Sequence, residues 1–61
     1  MKNVLYIVDD HNMVRNGLKM WLEKYTEWKA PHDFSNGEDC LKFLEQLSPK
    51  HSDFPEIMII D

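Results

Sequence analysis

Two continuously apolar runs, Val4-Leu5-Tyr6-Ile7-Val8 and Ile57-Met58-Ile59-Ile60, lie near opposite ends of the sequence, and each stops on aspartate. Asp9-Asp10 follows the first and Asp61 the second. Neither run alternates apolar with polar residues. Each therefore reads as a strand covered on both faces, as parallel strands flanked by helices are.

Between the runs the hydrophobic period lengthens. Val14, Leu18, Trp21, Leu22 and Tyr25 fall on one stripe, with Arg15, Asn16, Lys19, Glu23 and Lys24 on the other side and Met13 and Met20 at its flanks. This pattern predicts an amphipathic helix of three to four turns. Gly17 inside it costs about 1 kcal/mol relative to alanine, which implies a close helix–sheet contact. Thr26 to Phe34 reads as a short edge strand carried by Trp28, Ala30 and Phe34, because Pro31 cannot donate a ladder hydrogen bond. Ser35-Asn36-Gly37-Glu38-Asp39 starts a second helix. Asn36 or Ser35 caps it, and the acids that follow suit the positive end of the helix dipole. Cys40, Leu41, Leu44 and Leu47, with Phe43 nearby, form its apolar face, and Ser48-Pro49 ends it. Lys50 to Phe54 is a polar loop.

The order strand, helix, strand, helix, strand calls for a parallel sheet with right-handed crossovers. A chain of 61 residues holds one small domain at most, so residues 1–61 form a single α/β unit. In the flavodoxin-like order 2-1-3 the two apolar strands are neighbours, about 4.8 Å apart. Their aspartates then share the sheet edge where open α/β sheets bind ligands. Three carboxylates meeting there repel one another, by about 4 kcal/mol for a pair 4 Å apart at an effective dielectric of 20. A hard divalent cation relieves this. Mg²⁺ binds through one or two carboxylates and accepts phosphate oxygens in its open positions. A carboxylate beside it is a competent nucleophile toward phosphorus.

Composition narrows the alternatives. A formal charge of -4, with dispersed lysines and arginines, gives no footprint for direct nucleic-acid binding. No glycine-rich phosphate loop follows the first strand, and Asp9-Asp10-His11-Asn12 lacks the second acid expected of a Mg²⁺ phosphohydrolase. The one cysteine has no partner for a disulfide, and His11, His32 and His51 lack zinc-ligand spacing. No run approaches the roughly 20 apolar residues of a membrane span, and Met1-Lys2 with a five-residue run makes no secretory signal. The expected location is the cytoplasm.

Val4-Leu5-Tyr6-Ile7-Val8-Asp9-Asp10-His11 followed by Val14-Arg15-Asn16-Gly17-Leu18 resembles the opening of two-component response-regulator receiver domains. Within that family it is most similar to the branch carrying a LuxR/NarL-type helix-turn-helix output domain. Asn36-Gly37-Glu38 with Leu41 and Leu44 resembles the family's second helix, and Pro55 to Asp61 its third strand and phosphoacceptor. The resemblance implies that Asp61 accepts a phosphoryl group from a sensor histidine kinase. It implies that Asp9, Asp10 and Asp61 hold Mg²⁺, with Asp10 the direct ligand of the acidic pair and Asp9 acting through water. It also implies that the domain is a signalling module rather than an enzyme, regulating transcription in a longer protein whose output domain alone touches DNA.

A receiver has five strands, so this chain is expected to be its N-terminal half, without the serine or threonine and the lysine that contact the phosphoryl group. The Ile57–Ile60 strand would then have a bare edge. Such edges pair between molecules, and a homodimer through it, antiparallel about a two-fold axis, is the expected assembly. A truncated, non-switching dimerisation module is the alternative reading of function. The remaining residues take structural roles. Trp21, the leucine stripe and Met58 are read as core, Trp28 as edge packing and Cys40 as a buried helix thiol. Lys2, Arg15, Lys19, Lys24, His32 and His51 are read as solvated, and His11 as shaping the turn after the acid pair.

Overall fold

A computed structural model of the chain describes residues 3–61, so Lys2 lies outside the described residues. The elements run β1 (Leu5–Val8), α1 (Asn12–Tyr25), β2 (Asp33–Phe34), α2 (Gly37–Gln46) and β3 (Ile57–Ile60). The three strands form one parallel sheet in the order β2-β1-β3. Leu5 pairs with Ile57 and Val8 with Ile60, so the two apolar runs of the sequence lie side by side and in step.

Because side chains alternate across a strand, β1 supplies two cores. Val4, Tyr6 and Val8 pack with Cys40 of α2, and Phe34, Phe43 and Leu44 close around them. Leu5 and Ile7 pack on the other face with Leu22 of α1 and Ala30, flanked by Leu18, Trp28 and Ile59. Every residue of β1 is buried, Tyr6 completely. Burying side chains of this size contributes about 1.5–3 kcal/mol each, which makes β1 the energetic centre of a small domain.

Local chemistry sets the boundaries of the elements. Asn36 caps α2, its side chain accepting from the Asp39 N–H at 2.8 Å, and Glu38 and Asp39 occupy the first turn. Of the two capping candidates, Asn36 holds the position. At the end of α1, the Thr26 N–H and hydroxyl both donate to the Leu22 carbonyl, and Thr26 Oγ1 accepts from the Trp28 N–H. The second strand is shorter than the stretch Thr26 to Phe34 suggested. Lys29 forms an isolated bridge to Val4, regular pairing resumes only at Asp33, and Pro31, lacking an N–H, lies in the gap.

Several expectations are corrected here. Trp21 is 54% exposed, not core, because a three-stranded sheet is too narrow to cover the whole stripe of α1 and Leu22 alone is fully buried from it. Met58 is 41% exposed at the sheet edge. Gly17 marks no close contact: a β-carbon built there meets nothing within 4 Å. His32 is packed rather than solvated, its ring 4.5 Å from that of Phe43 and edge-on to Tyr6. Its Nε2 lies 3.4 Å from Asp53, whose main-chain carbonyl accepts from the Tyr6 hydroxyl at 2.6 Å.

Candidate metal centre at the carboxyl edge of the sheet

Parallel pairing carries the ends of β1 and β3 to one edge. The Val8–Ile60 pair is the last of the ladder, and the Asp61 N–H continues it by donating to the Val8 carbonyl at 3.0 Å. Asp9 and Asp61 therefore leave the sheet side by side. Together with His11 they bring one ligand atom each within 4.8 Å of one another, close enough to hold a metal ion.

The three positions differ in character. Asp9 is buried and its Oδ1 accepts two hydrogen bonds at 2.9 Å, from the His11 N–H and from His11 Nδ1. These bonds, the main-chain one foremost, hold the Asp9 carboxyl below the usual carboxylate range. Asp9 is thus a fixed, ionised oxygen donor. His11 stands over it with its side chain two-thirds exposed, and its Nδ1 also lies 2.9 Å from Asp10 Oδ1. A carboxylate only accepts, so Nδ1 is the protonated nitrogen in this arrangement. The bond to Asp9, then the charges of Asp10 and Asp9, push the imidazole above its ordinary value. Asp61 is exposed.

Of the acids singled out in the sequence, Asp9 and Asp61 come together and Asp10 does not join them. Its side chain is 78% exposed and turned to His11. His11, read as a turn residue, is the third member of the group. Its signal was its place immediately after the acidic pair, where one turn brings the ring back onto Asp9.

Arg15, read as solvated, also differs from expectation. Its side chain is 14% exposed and each of its three guanidinium nitrogens donates: Nε to Asp33 Oδ2, one terminal nitrogen to the Asp9 main-chain carbonyl at 2.6 Å, and the other to Asn12 Oδ1 at 2.7 Å. Lys19 approaches the same Asp33 at 3.9 Å. A planar fork carries fixed donors on three separate nitrogens and so reaches acceptors spread around it, whereas an ammonium offers its three donors from a single point.

The donor set fits a divalent cation. Two carboxylate oxygens suit Mg²⁺ or Mn²⁺; with Nδ1 donating to Asp9, the imidazole can add only its Nε2, which would shift the preference toward metals that accept nitrogen. A scan against protein-family models found no match, and neither did searches of the curated proteins and of the solved structures.

Proposed function

We propose that this chain is a phosphoacceptor module of the receiver type, with a flavodoxin-like sheet, in which Asp61 takes a phosphoryl group from a sensor histidine kinase. The observation that carries this reading is the meeting of Asp9 and Asp61 at the carboxyl edge, produced by the parallel β1–β3 pairing. Asp9 and Asp61 would hold Mg²⁺, and the adjacent Asp10 would act through water. A cation bound there would supply charge neutralisation on the phosphoryl oxygens. One Asp61 carboxylate oxygen attacks phosphorus in line with the leaving group. The P–N bond of the donor phosphohistidine breaks, and the donor imidazole leaves with the electron pair of that bond and takes up a proton. Buried Asp9, held by His11, keeps its charge and stays unreactive, while exposed Asp61 meets the donor. The chain is not itself an enzyme in this reading. Its output is a change of charge at the sheet edge, passed on to transcription by a further domain.

Incubation with Mg²⁺ and a small phosphodonor such as phosphoramidate tests this. Intact-mass measurement should show one added phosphoryl group, lost with EDTA and lost in Asp61→Asn. A gain that persists in Asp61→Asn would refute the assignment.

A second reading, an interaction module that dimerises through β3, has its own supporting observation. Ile57, Met58 and Ile60 are 49%, 41% and 69% exposed along an unpaired strand edge. Antiparallel pairing of two such edges about a two-fold axis joins two three-stranded sheets into one. Ile60→Lys places a charge on that seam, and sedimentation velocity should show it shifting dimer to monomer. An unsubstituted chain that sediments as a monomer at tens of micromolar would exclude this reading.

A further inference from the structure

Arg15 presents a contradiction in simple electrostatics. A site that gathers a divalent cation has a guanidinium as its neighbour, bonded to the main chain of its most buried ligand, Asp9. Like charges repel, so a nearby cation should weaken metal binding. Its hydrogen bonds point the other way. Arg15 ties together three pieces of chain: Asp33 on β2, Asn12 at the start of α1, and the carbonyl of Asp9 just beyond β1, whose N–H already donates to the Phe34 carbonyl of β2. The turn bearing Asp9, Asp10 and His11 is strung between the second and third of these. No side-chain cap steadies the start of α1, because His11 occupies the capping position without a capping hydrogen bond and spends its ring on the acids.

We infer that Arg15 is a positioning residue for the acid site: anchored on Asp33, it fixes the Asp9–His11 turn in its cation-binding shape, and this outweighs the repulsion of its charge. The inference rests on the cation-binding reading above. Groups that orient metal ligands without touching the metal typically change affinity 10- to 100-fold when removed. Arg15→Gln should therefore bind Mn²⁺, a paramagnetic stand-in for Mg²⁺, at least about tenfold more weakly. Electrostatics alone predicts the reverse, because the substitution deletes a positive charge. Arg15→Lys keeps the charge without the fork and should lose affinity as well.

The experiment is Mn²⁺ titration by water-proton relaxation, run beside amide hydrogen exchange on the metal-free chain. In Arg15→Gln the His11 amide, which donates to Asp9 Oδ1, should exchange faster while the amides of α2 keep their protection. Should Arg15→Gln fail to fold by circular dichroism, Asp33→Asn weakens the same anchor from β2 and takes its place with His11 amide exchange as the readout, because loss of a negative charge would by itself weaken Mn²⁺ binding. Unchanged or tighter Mn²⁺ binding in a folded variant overturns the inference. Should the unsubstituted chain bind no Mn²⁺, the cation-binding reading falls, and exchange at His11 alone decides the role of Arg15: selective acceleration upholds it and an unchanged rate ends it.

Discussion

β1 and β3 are nearly interchangeable as sequences and opposite as structures. Both are four-residue, continuously apolar strands followed by aspartate, and they pair with each other residue for residue. Yet β1 is buried throughout and three of the four residues of β3 are exposed. The difference lies in neighbours. β1 has a strand on each side and a helix packed on each face, whereas β3 has one strand partner and lies at the margin of both helices. An apolar run therefore reports how much cover a strand requires, and the arrangement of the other elements decides how much it receives.

The sharpest way to break the comparison is to truncate equivalent residues. Ile7→Ala, at a site 1% exposed, should cost about 2–5 kcal/mol. In a 61-residue domain of marginal stability that loss removes the urea unfolding transition altogether. An intact transition would show that β1 is not the centre of the fold. A smaller effect is expected at Tyr6, where only the hydroxyl bond to the Asp53 carbonyl is at stake: Tyr6→Phe should cost about 1 kcal/mol in urea midpoint terms. Burial first, then the charge of Asp53, pushes the Tyr6 phenol above its ordinary value. Its contribution is accordingly complete below the free tyrosine value and is lost as the pH climbs through and beyond it. The smallest effect belongs to β3. Ile60→Lys should stay within about 0.5 kcal/mol of the unsubstituted chain at concentrations where both are monomeric. A loss as large as that of Ile7→Ala would mean that the edge is covered after all.

Much of the fold was legible for a plain physical reason. The apolar runs and the period of α1 and α2 are patterns of adjacent residues, and strand, helix and crossover rules turn them into a parallel sheet with β1 beside β3. The second strand was less legible, because two residues carry no period and the preceding pairing is broken at Pro31. The stripe of α1 located the helix and overstated its burial: Trp21 lies on it, yet the sheet ends before reaching that far. At the site, Asp9 and Asp61 could be read because strand ends in a parallel sheet fall on one edge. The roles of His11 and Arg15 could not. Each depends on the path of a tight turn and on Asp33, a residue with no mark in the sequence.

The pairing of β1 with β3 joins segments from almost the two ends of the described chain. The Asp9–His11 part of the candidate centre is local, but Asp61 joins it only through the β1–β3 pairing, when the intervening elements have found their places. Assembly of the centre and closure of the fold are thus one event. Any ion that prefers the finished centre adds its whole binding free energy to the stability of the native chain, growing with the logarithm of its concentration above the dissociation constant. Where such an ion is plentiful, it would act as a clasp on the β1–β3 pairing.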